Sequence, residues 1–222
     1  MQGKWPMSRV LLSTRRILPA AICAASFLFF TVAGYSEANW PKMLLSTPPT
    51  GERSLGTVGA PVVVLEYASA TCPHCAIFHI QSWPQIKRNY VDTGKVRWII
   101  RELPLDSLAM AAFMLARCVP AESYFATLDD LFAAQRQWMG SEPRNELWKL
   151  MQRKGMQRDQ FDLCLERQDL SDAIYHTAKQ AIEQFGVKST PTFFINGRVI
   201  QGSQTFVVFQ ELIEAELRKV QH

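Results

Sequence analysis

An α/β fold is what this 222-residue sequence predicts, and three stretches carry that prediction. A strand, a helix and a second strand follow one another within residues 61–103. A long helical pattern occupies 107–186, and a β-hairpin with a terminal helix closes the chain. Two successive strands joined by a helix run parallel, because the crossover brings the chain back to the sheet in the same direction.

Taken in order, residues 39–58 are rich in Pro, Ser, Thr and Gly and read as an irregular lead-in. PVVVLEYA (61–68) is a short apolar, β-branched run of strand length. A helical stretch follows from Cys72 to about Asn89, interrupted or kinked at Pro84. Asp92-Thr93-Gly94 is a turn, and KVRWIIREL (95–103) is the second strand. In the helical block, Leu108, Ala111, Leu115 and Cys118 keep one face, and Phe125, Leu128, Leu131 and Phe132 another. Pro120 and Pro143 sit where helices begin, and Gly186 closes the last one. PTFFI (191–195), an Asn196-Gly197 turn and RVIQG (198–202) form the hairpin. The last helix carries Phe206, Phe209, Leu212, Ile213 and Leu217 on one side. The expected division is a leader at 1–38, the lead-in at 39–58, a core built from 59–106 and 187–220, and a helical insertion at 107–186.

Residues 1–38 have the pattern of a secretory signal peptide. Lys4, Arg9, Arg15 and Arg16 precede the uncharged run ILPAAICAASFLFFTVAGY (17–35), and Ser36-Glu37-Ala38 offers a cleavage site. Export to the periplasm or an equivalent space is the expectation; if 17–35 stays in place, it would anchor the protein in the membrane. Cleavage leaves 20 basic against 19 acidic residues. No Lys/Arg stripe with interleaved aromatics suggests nucleic acid as a partner.

Four cysteines then remain, Cys72, Cys75, Cys118 and Cys164, and an even count in an exported chain leans towards disulfides. The spacing of CPHC (72–75) pairs the first two. No second CxxC or His pair exists to complete a zinc site, which takes about four ligands. Cys72 lies just after a strand and opens a helix, where free N–H groups and the helix dipole stabilise a thiolate. Cys72 is therefore the attacking sulfur with a lowered pKa, and Cys75, one turn on, the buried resolving thiol. Pro73 suits the first helical turn, and His74 adds a donor or positive charge nearby.

CPHC opening a helix and STPT (189–192) before the hairpin resemble the DsbA-like thiol:disulfide oxidoreductases. The resemblance runs from about Leu55 to Arg218 and includes EYASATCPHC, YVDTGKVRWIIRELPLD and GVKSTPTFFING. It implies a thioredoxin-like fold with a helical insertion. It further implies an exported enzyme that introduces disulfides into reduced or unfolded exported proteins, using its own redox-active disulfide and no other cofactor or metal. A membrane redox partner of the quinone-linked type would recycle it, and a monomer is expected. By position, Pro191 is the cis-proline facing the cysteine pair, and Thr190 offers backbone hydrogen bonds to a substrate strand. Glu66 matches the family's buried acid, with a raised pKa and a proton-relay role towards Cys75. Cys118 and Cys164 match a second, structural disulfide, contributing on the order of 4 kcal/mol in the chain-entropy model and able to tune the site's potential.

Thr190 stands where the best-known branch has Val, and threonine there is shared with exported disulfide isomerases and with another DsbA-like branch. A disulfide isomerase or reductase kept reduced by a membrane donor is thus the nearest alternative. A thiol-dependent metal or folding chaperone is another. His79 and His176 read as core or surface histidines. Trp83, Trp98, Trp138 and Trp148, with Met110, Met114, Met139 and Met151, read as core rather than as a substrate groove.

Overall fold

The computed structural model describes residues 44–220. The expected leader, 1–38, lies outside them. Among the described residues a five-stranded sheet has the order β1-β3-β2-β4-β5. Its strands are β1 (Arg53–Leu55), β2 (Val62–Ala68), β3 (Val96–Glu102), β4 (Thr192–Ile195) and β5 (Arg198–Gln201). β2 and β3 are parallel, whereas β1–β3, β2–β4 and β4–β5 are antiparallel. The hairpin turn places Asn196 at φ 45° and Gly197 at φ 91°, the left-handed pair that a two-residue connection between twisted strands requires.

Period-two alternation divides the central strands between two layers. Val62, Val64 and Ala68 of β2, Trp98 and Ile100 of β3, and Phe193 of β4 join the larger core cluster. Leu65, Tyr67, Ile99 and Phe194 face the other way, against Ala178, Ala181 and Phe185. The larger layer is filled by α1 (Pro73–Gln81), α2 (Trp83–Ile86), the C-terminal helix and the helical block. That block comprises α3 (Ser107–Cys118), α4 (Tyr124–Ala133), α5 (Gln135–Trp138), α6 (Pro143–Arg153) and α7 (Arg158–Leu165). α8 (Gln168–Glu183) returns the chain to the sheet, and α9 (Phe206–Val220) ends it.

Two expectations need correction. The lead-in at 39–58 is not wholly irregular: Arg53–Leu55 pairs with Trp98–Ile100 as an edge strand. Three residues carry too little pattern to announce a strand, and the pairing is supported from outside by the ion pair of Glu52 with Arg97. The helix after the cysteine pair is interrupted at Ser82, one residue before Trp83-Pro84, and its continuation ends in a π-helical turn at Lys87–Val91. Proline at the second position of α2 accounts for the restart. Trp83, Trp98 and Trp138 are core residues, each under 2 % exposed.

Candidate active site

Cys72 occupies the N-cap of α1, with extended backbone (φ −74°, ψ 120°) and Pro73 following in the first turn. The loop leading to it is tied down on several sides. The Cys72 N–H donates to the Ser69 carbonyl at 3.1 Å, and Thr71 Oγ1 donates to Asp106 Oδ2 at 2.7 Å. Asp106 also caps α3 through Ala109 N–H at 2.7 Å, so one carboxylate joins the insertion's first helix to the residue before Cys72. Gln135 donates from Nε2 to the carbonyls of Ala70, at 2.8 Å, and Cys72, at 3.0 Å.

Both thiols are free, and both are buried, Cys72 at 5 % exposure and Cys75 at 0 %. Their acidities diverge. A hydrogen bond from Cys75 is the largest influence on Cys72 and outweighs the cost of burial. With the Thr190 side chain and the N–H groups of Cys75 and His74, it holds the Cys72 pKa at about 5. Cys75 moves the other way, well above the ordinary thiol range, because of burial first and then its bond to Cys72 and the charges of Cys72 and Glu66. One sulfur is poised as nucleophile and leaving group, and the other keeps its proton.

Thr190 and Pro191, joined by a cis peptide bond, lie against this pair. As a thiol, Cys72 donates to the Thr190 carbonyl at 3.2 Å. Thr190 Oγ1 is buried without a hydrogen-bond partner, which leaves its hydroxyl to the thiolate. His74 contributes through its backbone N–H; its ring is exposed.

Glu66 is fully buried, and its carboxylate is met by two donors. It shares a face of β2 with Val64 and Ala68, under α1. It accepts hydrogen bonds from His79 Nε2 at 3.0 Å and Trp98 Nε1 at 3.2 Å. His79 therefore belongs to the site rather than to the anonymous core. Its spacing of four from Cys75 on α1 was the available signal, since it puts both on one helix face. Gln135 carried no such signal. The Cys118–Cys164 disulfide has Cα atoms 6.2 Å apart and ties α3 to α7 within the insertion.

Two apolar side chains stand exposed on the helix that Cys72 opens. Ile77 and Ile80 on α1 are 42 % and 55 % exposed. A groove of about 360 Å³ beside them is lined by Pro73, Ala76, Phe132 and Gln135. On the other side of His74, a second groove of about 540 Å³ reaches Gln204, Phe206 and Val207.

A four-stranded core extended by an edge strand, a CxxC pair at a helix N-terminus and a cis-proline opposite it define a thioredoxin-fold redox protein. A family model described as thioredoxin matches residues 49–215. The chain belongs to the thioredoxin family, where it stands with the DsbA-like thiol:disulfide oxidoreductases. Wolbachia pipientis α-DsbA1 is 30 % identical with a TM-score of 0.73, over 79 % of this chain and 95 % of that one. A protein-disulfide isomerase from Novosphingobium aromaticivorans is 26 % identical with a TM-score of 0.65, over 75 % of this chain and 97 % of that one. A Rickettsia conorii protein provisionally named a protein-disulfide oxidoreductase is 30 % identical over 145 residues, 64 % of this chain. The chain's match spans about half, 52 %, of that relative's length.

Proposed function

We propose that this chain is an exported dithiol oxidase that passes its Cys72–Cys75 disulfide to reduced, unfolded proteins outside the cytoplasm. The observation that carries the reading is the divergence of the two thiols, with the Cys72 pKa held at about 5 and that of Cys75 pushed well above its usual range. A stabilised Cys72 thiolate favours the reduced enzyme, and an enzyme that is more stable reduced is an oxidant towards its substrates.

The steps follow from the geometry. A substrate thiolate attacks Cys72 Sγ, the bond to Cys75 breaks, and Cys75 leaves with the electron pair and takes up a proton. A second substrate thiolate attacks the substrate sulfur of the mixed disulfide, and Cys72 departs as thiolate. The Thr190 carbonyl, bonded to Cys72 in the free enzyme, is the group a substrate strand would take over. Exposed Ile77, which lines both grooves, and Ile80, which lines the first, suit apolar side chains of an unfolded chain rather than one fixed sequence. A membrane-bound, quinone-linked oxidant would restore the disulfide.

Thr190 and the isomerase among the structural neighbours favour a second reading, an exported isomerase held reduced. Equilibration of residues 39–222 in glutathione buffers, read by alkylation and mass spectrometry, separates the two. DsbA, at about −120 mV, and thioredoxin, at about −270 mV, are the reference points. A potential near the first supports the oxidase, and one near the second overturns it.

A further inference from the structure

Cys75 is sealed from solvent, so a proton that enters or leaves it with each turnover needs a route. The groups that surround His79 outline one. From β2, Glu66 Oε1 lies 3.0 Å from His79 Nε2, and the Glu66 charge acts on the Cys75 thiol. From α4, Asp129 Oδ1 lies 3.7 Å from His79 Nδ1, while Phe132 stacks on the ring with centroids 4.2 Å apart. Trp98 of β3 bonds the second Glu66 oxygen, and on α1 itself Cys75 precedes His79 by one turn. The His79 side chain is only 2 % exposed, whereas that of Asp129 is 44 % exposed. Nδ1 is buried and has no hydrogen-bond partner, so the edge of the ring facing Asp129 is unspent. The half-exposed Asp129 carboxylate is the group that faces this edge.

We propose that His79 and Asp129 form the proton path between the resolving cysteine and solvent, in the order Cys75, Glu66, His79, Asp129. The proposal rests on the redox reading of the cysteine pair and goes beyond it by naming the two residues that lead the proton out. Trp98 holds the inner carboxylate and Phe132 covers a face of the imidazole, which fixes both groups in the line of the path.

In the step that closes the enzyme disulfide, Cys75 attacks Cys72 Sγ of a mixed disulfide. The S–S bond to the departing group breaks, and that group leaves as a thiolate with the electron pair. The charged ring first releases its Nδ1 proton past Asp129 to solvent and exchanges tautomer, which frees Nε2 to take up the Cys75 proton by way of Glu66. In the opposite step, the departing Cys75 thiolate is neutralised by a proton travelling inwards. Burial lowers the His79 pKa, but the charge of Glu66, with Asp129 assisting, brings it to about 9, so the ring carries a proton at neutral pH. His79 acts through Glu66 and does not touch the reacting sulfurs.

The test isolates the intramolecular step with a small probe, oxidised glutathione, mixed with reduced protein in a stopped-flow instrument. The first-order closure that follows formation of the Cys72–glutathione disulfide is read from pH 5 to 9, in light and heavy water. Asp129→Asn and His79→Gln should each slow closure about tenfold near pH 7 and enlarge its solvent isotope effect. The Cys72 alkylation midpoint should stay in place, which a general loosening of the site would not allow. Wild-type closure rates in Asp129→Asn overturn the path, and that variant, changed at a half-exposed side chain, remains informative if His79→Gln fails to fold. Failure of the oxidase reading is seen separately, as an inability of the wild-type disulfide to oxidise a reduced protein, because glutathione closure does not depend on the protein substrate.

Discussion

Gln135 Nε2 donates to the carbonyl oxygen of Cys72 at 3.0 Å, so a side chain from the helical insertion grips the backbone of the nucleophile itself. The same amide holds the Ala70 carbonyl at 2.8 Å, and Gln135 is 6 % exposed. Replacing it with alanine strips two buried carbonyls of this donor, at a cost of about 1–3 kcal/mol for each that finds no substitute. Gln135→Ala should lower the denaturant midpoint and broaden the Cys72 alkylation profile. Gln135→Glu should be worse than alanine, since it sets a carboxylate against two carbonyls. Equilibrium unfolding of the reduced protein, with thiol titration alongside, checks both.

The titration of Cys72 fixes how the active-site potential depends on pH. Between about 5, where Cys72 titrates, and the much higher range of Cys75, reduction takes up two electrons and one proton. The potential should fall by about 30 mV per pH unit in that window and by about 59 mV per unit below it. A depressed thiol pKa in the folded, reduced protein stabilises it above the ordinary thiol range. That contribution shrinks as pH falls and is gone once pH has passed through about 5. Reduced and oxidised forms should therefore draw together in stability at acid pH. A slope with no break near pH 5 would contradict the assignment.

Thr190 supplies the next expectation. Its hydroxyl is buried, has no other partner and lowers the Cys72 pKa. Thr190→Val keeps the shape and removes the donor. A hydrogen bond to a charged group is worth about 1.5–3 kcal/mol, so the Cys72 pKa should rise by roughly one unit or more. Thiolate absorbance against pH measures it directly, and an unmoved midpoint would assign the low pKa to Cys75 and the helix N–H groups alone.

How far these features were readable in the sequence depends on how local their causes are. The strands β2 and β3 announce themselves through β-branched runs, and Asn196-Gly197 specifies its turn by backbone conformation alone. CPHC and Pro191 are legible because the chemistry is written in consecutive residues. β1 was not legible, because its three residues become a strand only by pairing with β3. His79, within IFHI, looks like any core histidine until Glu66 and Asp129 arrive from β2 and α4. The apolar wall of Ile77 and Ile80 hides in the same helix, since sequence alone does not say which apolar positions the core leaves uncovered.

A buried ion pair away from the thiols tests stability without chemistry. Arg117 and Glu102 have side chains 2 % and 0 % exposed and meet at two points, one of them Nη2 to Oε2 at 2.9 Å. Tyr124 donates to the same carboxylate at 2.6 Å, and Arg117 Nη1 reaches the Thr50 carbonyl at 2.7 Å. Arg117→Met leaves Glu102 charged and buried, and should cost about 3–5 kcal/mol. Adding Glu102→Leu should recover much of that loss. Chemical denaturation of the single and double variants decides; a double variant no better than the single would mean that the lost anchoring of Thr50 dominates.

The Cys118–Cys164 disulfide lets stability be separated from redox poise. Cys118 ends α3 and Asp106 caps its start, so the bridge lies roughly 18 Å along the helix axis from the carboxylate that holds Thr71 beside Cys72. A neutral crosslink at that remove has no charge with which to move the Cys72 thiolate. It closes a 46-residue separation, for which chain entropy predicts on the order of 4 kcal/mol. Replacing both cysteines with alanine should therefore lower the unfolding free energy by up to about that amount, while the Cys72–Cys75 potential shifts by less than about 30 mV, the equivalent of tenfold in the exchange equilibrium. A larger shift would show that α3 transmits the loss of the bridge to Asp106. In that case the Thr71–Asp106 hydrogen bond is the link to remove next, by Asp106→Asn, to see whether the potential moves in the same direction.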